Sequence, residues 1–285
     1  MKEIAVTGAN GQLAKCLQIH QSKFPELEFV FLDREQLDIT SAQKVSSFFS
    51  RNNFEFCVNC AAYTDVEKAE GEKDLAFAVN AEGVKNLAEA CRKNNAVLIH
   101  ISTDYVFDGI KKLPYLETDA AAPINVYGQS KLKGEQYVQE ILTDYFIIRT
   151  SWVYSQFGHN FYKTMKSLIG QNRQDLNVTI EQIGTPTNAN DIALLILKLI
   201  ESEIKNYGLY HFSNSGSGTW FDFADEIRKN LSREALAQPQ KTDHFKTKAA
   251  RPENSVLNTD KIVRELKVSL KDWKLSLKNL QNSTE

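Results

Sequence analysis

Val6-Thr7-Gly8-Ala9-Asn10-Gly11-Gln12-Leu13-Ala14 decides the fold. An apolar run, Glu3–Thr7, leads into Gly8, and Leu13 and Leu17 follow Gly11 at helical spacing, so the stretch reads as strand, glycine turn and helix. A glycine at the strand end allows the tight turn. Gly11 lets a pyrophosphate approach the backbone, and the free N–H groups and positive end of the helix suit an anion. Ala14 takes the third position, where a methyl still permits close helix–strand packing. The spacing G-x-x-G-x-x-A departs from the commoner G-x-G-x-x-G, and a glycine turn in any α/β protein gives the same letters.

Further apolar runs at Phe29–Leu32, Phe56–Asn59, Val97–Ser102 and Tyr145–Thr150 continue the series. They are continuous and not alternating, as expected of strands covered by helices on both faces. Val84, Leu87, Ala88 and Cys91 mark a core-facing helix, and Ile192, Leu195, Ile196 and Leu199 another. The pattern predicts an α/β fold: a Rossmann-type doubly wound parallel sheet over residues 1–150, then a smaller C-terminal α/β substrate-binding region over 151–285 from which some segments return to the first. That second part carries a Gly/Ser-rich turn at 213–219 and a Pro- and Lys-containing loop at 238–254, and residues 281–285 read as a frayed end.

With 285 residues the chain can bury a large core. Its 34 basic and 36 acidic residues leave a charge of −2 and supply no electrostatic footprint for nucleic acid or anionic lipid, so small-molecule partners are expected. The richest apolar stretch, Ile192–Ile200, is too short for a membrane span and contains Lys198. No secretory signal is visible before Ile4, which makes the cytoplasm the expected location. Cys57 and Cys60 lie three apart on a strand and point to opposite faces, with no second Cys/His pair at zinc spacing, so buried thiols and no metal site are expected.

The second strand ends at Leu32-Asp33-Arg34, close to where a ribose-reading acid falls. Asp33 suits the 2′-hydroxyl of NAD and Arg34 the 2′-phosphate of NADP, while a solvated strand end would give the same residues. Asp38 and Ile39 are candidates to flank the adenine. Tyr127 and Lys131, four apart, share one helical face, where an ammonium beside a phenol lowers its pKa and makes it a usable proton donor. Thr103, at the carboxyl end of the fourth strand, offers a hydroxyl to orient a carbonyl, and Lys131 could also hold a nicotinamide ribose. Arg251, in a segment with Lys246 and Lys248, either forks onto a diphosphate or belongs to a solvated basic loop. Trp152 could stack on a sugar or base, or be core. Asn80 could bond the cofactor or cap a helix. His100, inside an apolar strand, reads as a satisfied core residue.

The segments Val6–Leu13, Asn59–Glu70, Ser102-Thr103-Asp104-Tyr105-Val106-Phe107, Pro123–Lys131, Arg149–Tyr154 and Arg251–Ser255 together carry a resemblance. The chain resembles the extended short-chain dehydrogenase/reductase superfamily and, within it, the dTDP-4-dehydrorhamnose reductase family. The resemblance implies NADPH or NADH as hydride source and reduction of a dTDP-linked 4-keto-6-deoxy sugar, with Thr103, Tyr127 and Lys131 as the catalytic trio. It implies cofactor contacts from Gly8, Asn10, Gly11, Gln12, Leu13, Ala61, Ala62 and Tyr63, and substrate contacts from Thr64, Val66, Asp104, Tyr105, Trp152 and Arg251. Lys15 stands where some members place an acid in a metal-linked dimer contact, and Asn190 is uncharged at a related position. A homodimer therefore stays open, but without a magnesium bridge. An epimerase that retains its cofactor, or a non-catalytic NADP-binding subunit resembling the regulatory subunit of methionine adenosyltransferase, would share much of this pattern.

Overall fold

A computed structural model describes residues 1–171, 173, 176–202, 204–231, 237–243 and 247–282. Five strands, β1 (Lys2–Thr7), β2 (Leu27–Leu32), β3 (Phe56–Asn59), β4 (Val97–Thr103) and β5 (Tyr145–Thr150), lie within two residues of the expected runs. A sixth, Gly208–His211, was not expected: it has four residues, and two of them end in polar atoms. The sheet order is Gly208–His211, β5, β4, β3, β1, β2, and every neighbouring pair is parallel. The chain moves outward from β1 to β2, then crosses to β3 on the other side. Strand order reverses between β1 and β3, and ligands of such sheets bind at the carboxyl ends beside that reversal.

Apolar side chains on both strand faces require helices on both sides. One face carries the helices Gln12–His20 and Ala189–Ser202, joined through Leu13, Leu17, Ile192 and Ile196. The other carries Ala42–Phe49, Gly83–Asn94 and Val126–Ile141, through Val45, Leu87 and Val138. Cys57 packs into the second layer and Cys60 against the first; all four thiols are free. A separate core of Tyr154, Met165, Phe223, Trp273 and Leu277 gathers the later helices Phe161–Gly170, Trp220–Lys229 and Trp273–Asn282. The expected fraying at Gln281 is corrected here, because that side chain is buried and donates to the Ile227 carbonyl. Ser283–Glu285 and Lys246 lie outside the described residues. Among the described residues no helix is long and apolar enough to cross a membrane.

Two devices level the site. Across three strands Thr7 Oγ1 donates to Asn59 Oδ1 (2.7 Å), and Asn59 Nδ2 lies 3.1 Å from His100 Nδ1. His100 is only half satisfied, since its Nε2 has no partner; burial, helped by the Lys131 charge, keeps the ring's pKa well below its usual range. The second device is the close seat of Val126–Ile141. A Cβ at Gly134 would lie 2.2 Å from the Asn80 carbonyl oxygen, and one at Gly128 would lie 2.1 Å from that of Tyr105. Overpacking of this kind typically costs about 2 kcal/mol, so Gly134→Ala should lower the melting temperature by roughly 5 °C. An unchanged thermal midpoint would show that the helix can lift off without cost.

Candidate active site

The glycine turn forms as the sequence requires. Gly8 has φ +71°, and a Cβ there would meet the Ala61 nitrogen at 2.6 Å, so the backbones leaving β1 and β3 touch. Gly11 closes the turn onto the Gly8 carbonyl (2.8 Å) and caps the helix. Apart from that carbonyl at 3.1 Å and its own chain neighbours, no atom of the described residues lies within 4 Å of a Cβ placed at Gly11. Leu13 and Ala14 are buried beneath the turn. The Gln12 side chain braces the later chain: Nε2 donates to the Val153 carbonyl (3.3 Å), and Oε1 accepts from Ser155 and Asn160. What Gln12 and Leu13 offer a ligand is therefore their backbone.

Asp33 accepts the N–H groups of Glu35 and Gln36 on Oδ1, which leaves Oδ2 beside Asn10 at 3.5 Å; Arg34 is exposed. Asp38 is held below the usual carboxylate range first by the Thr40 hydroxyl, and Ile39 is buried under Gly83. Asn80 neither caps a helix nor has its amide free. It sits in the π-helical turn Ala78–Glu82, pairs with both backbone groups of Tyr63 (2.8 and 2.9 Å) and donates to Ser130 Oγ (3.0 Å). It thereby ties Ala61-Ala62-Tyr63, at the exit of β3, to the Tyr127 helix.

That helix is aimed from its first turn. Asn125 accepts the Gly128 N–H (2.8 Å) and donates to the Ala250 carbonyl, while Glu70 accepts the Val126 N–H. Thr103 ends β4, donates to Asp104 Oδ1 (3.0 Å) and accepts the Tyr105 N–H. The Thr103 hydroxyl lies near enough to the Tyr127 phenol to act on its pKa, and the Tyr127 ring meets Tyr105 edge-on at 5.9 Å. Thr103, Tyr127 and Lys131 thus converge at the carboxyl edge of β4.

The expected lowering of the phenol pKa is corrected. Burial pushes Tyr127 up to about 12, against the lowering influence of the nearby Thr103 hydroxyl. Lys131 turns its Nζ to the Ile101 carbonyl (2.6 Å), and burial brings its pKa down to about 8, against the charge of Glu135. Desolvation sets the direction at Tyr127, and the ion-to-phenol effect assumed from spacing alone is not among its causes. Asp104 is also buried, which raises its carboxyl to about 7.

The substrate candidates divide. Thr64 is exposed and Val66 begins a short helix capped by Asp65. Arg251 is half-buried, with Nη2 on Glu67 Oε1 (3.0 Å); Glu67 also takes the Lys248 N–H, so Arg251 is fixed and not a freely solvated loop residue. Trp152 has φ +45° and stacks on Trp220 at 3.7 Å and 6°. A Cβ at Gly184 would meet its ring at 2.5 Å. Trp220 fills one face and the Gly184 backbone the other, so neither face of the Trp152 ring is open to a ligand.

Sequence patterning missed Ser102, Glu135 and Arg149. Glu135 is 1% exposed and takes the Arg149 fork (2.9 and 2.6 Å) and the Ser102 hydroxyl (2.5 Å). The available signal was Arg149 inside an apolar strand, since a buried charge needs a partner. Among the described residues no cluster of three or more His, Cys, Asp or Glu could hold a metal.

The family model described as the RmlD substrate binding domain matches residues 1–285. A dTDP-4-dehydrorhamnose reductase of Aggregatibacter actinomycetemcomitans is 39% identical over 295 aligned residues, covering 100% of each chain. The crystal structure of one from Clostridium acetobutylicum superposes with a TM-score of 0.93 at 40% identity, covering 99% of both chains. Another from Bacillus anthracis, in complex with NADP, gives 0.93 at 40% identity, covering 99% of this chain and 100% of that one. The glycine turn, the Thr103–Tyr127–Lys131 convergence and these full-length matches lead to one assignment: the chain belongs to the RmlD family, that of the dTDP-4-dehydrorhamnose reductases.

Proposed function

We propose that this protein reduces the 4-keto group of dTDP-4-dehydro-6-deoxy-L-mannose to give dTDP-L-rhamnose, the last step of dTDP-rhamnose biosynthesis, using NADPH or NADH. The observation that carries the proposal is Thr103, Tyr127 and Lys131 meeting at the carboxyl edge of the sheet, beside a glycine turn that leaves room for a pyrophosphate. When bound, the nicotinamide supplies a hydride.

The chain's residues fit such a group. Gly11 and the N–H groups of Gln12 and Leu13 would cradle the pyrophosphate, Asp33 and Arg34 would hold the adenosine ribose, and Lys131 would hold the nicotinamide ribose. Ala61, Ala62 and Tyr63, held by Asn80, form the floor. On the sugar side Thr103 orients O4 and Tyr127 Oη delivers a proton to it as charge develops there. With a pKa near 12, Tyr127 keeps that proton through neutral pH. Thr64, Val66, Asp104, Tyr105, Trp152 and Arg251 make the substrate side, with Arg251 nearest in chemistry to a diphosphate. The enzyme works in the cytoplasm. Any homodimer forms without a metal bridge, for the Asn190 side chain is already held by His20, Gln156 and Asn188.

Steady-state cofactor oxidation with the keto sugar tests this. Tyr127→Phe should bind NADPH normally and lose about 10²- to 10⁴-fold in turnover; near-normal turnover would remove Tyr127 from the chemistry. Gly11→Val should abolish NADPH binding in a folded protein, and unchanged affinity would misplace the pyrophosphate. Lys131 ordinarily ionises at 10.5 but loses its proton near pH 8 here, so NADPH affinity should weaken as pH rises through about 8. A flat titration from pH 7 to 9.5 would contradict that role.

A further inference from the structure

We propose that Trp220, carried by a helix remote in sequence from the reacting groups, is a positioning residue for the sugar subsite: it fixes Trp152 so that an edge of that ring, and no face, bounds the bound sugar. The inference rests on the function proposed above. Trp152 has a backbone conformation that side chains with a Cβ rarely adopt, and such a conformation persists only where the surroundings over-determine it. Here they do. Trp220 covers one indole face at 3.7 Å and 6°, and Gly184 passes so close to the other that no Cβ fits.

Trp220 is itself fixed. It is the first residue of its helix, inside the Thr219–Asp222 capping box, and its Nε1 donates to Gln182 Oε1 at 2.9 Å. Phe161 leans on its ring at 4.6 Å. The Ile183–Gly184 strand then connects this wall to the chemistry: Ile183 exchanges backbone bonds with Glu253 (2.7 Å) and Ser255 (2.8 Å), next to Arg251, and Ser255 lies against Asp104. Displacing Trp220 would free the strained Trp152 to turn, changing the sugar's seat while leaving the glycine turn and Tyr127 untouched.

The test compares Trp220→Leu with Trp220→Phe in the intact chain. An aromatic stack is worth about tenfold, so Trp220→Leu should raise KM for the keto sugar by about that factor, with kcat and the NADPH dissociation constant within about twofold. Trp220→Phe, which can still stack, should recover most of the loss. Two stacked indoles also give an exciton couplet in the ultraviolet circular dichroism, which both variants should lose. If Trp220→Leu does not fold, Gln182→Leu, which releases the Trp220 ring, should raise KM in the same direction. Unchanged KM in the folded variant, or a couplet that survives loss of Trp220, would overturn the inference. An unmodified protein that shows the couplet but reduces no keto sugar would instead remove the function on which it rests.

Discussion

The contact on which the rest depends is the backbone-to-backbone approach of Val126–Ile141 to the exits of β3 and β4. Gly128 lies against the Tyr105 carbonyl and Gly134 against that of Asn80, at distances no side chain would tolerate. Only with the helix this close can Tyr127 sit beside the Thr103 hydroxyl while Lys131, one turn on, reaches the Ile101 carbonyl. The Glu135–Arg149 pair locks the same helix to β5 a further turn along. Buried pairs of this kind contribute little net stability, because desolvation offsets attraction, but breaking one partner leaves a buried charge, so they resist misalignment. Glu135 has a second effect: it opposes the loss of charge that burial imposes on Lys131.

The later chain completes the site by reaching back over the sheet edge. The Ala250 carbonyl receives Asn125 at the start of the Tyr127 helix, and Arg251 is tied to Glu67 on the short helix beyond β3. Asn254 bonds to the Gly109 carbonyl, and Tyr115 bridges to Leu257. One cleft wall is thus built from segments far apart in sequence, and its alignment with the reacting groups is inherited from folding, not from loop chemistry. The neutral His100, bonded to Asn59 at one nitrogen, extends the same economy into the sheet: it adds a polar crosslink between β3 and β4 without adding a buried positive charge near Lys131.

Much of this was legible in the chain itself. Continuous apolar runs announced five strands, since a strand covered on both faces has no reason to alternate, and Gly8 with Gly11 announced the turn. The four-residue strand Gly208–His211 carried too little apolar signal. Tyr127 and Lys131 were visible through helical spacing, but their proton affinities were not, because these follow from burial. Arg149, a charge in an apolar strand, signalled a buried partner, yet that the partner is Glu135 needed the fold. Gly134 and Gly184 looked ordinary, because what a glycine makes room for lies elsewhere in the sequence. Trp152 was ambiguous between stacking surface and core, and the geometry chose a third arrangement, a half-buried ring filled on both faces.

The central claim is that these groups hold a keto sugar for one-way hydride transfer to C4 with proton delivery from Tyr127. It is tested most directly by a single turnover with NADPH deuterated on its transferred position, followed by NMR of the nucleotide sugar. The account predicts one deuterium at C4 of the product, with one cofactor oxidised for each sugar converted. Product formed without net cofactor oxidation, or label absent from C4, would contradict it.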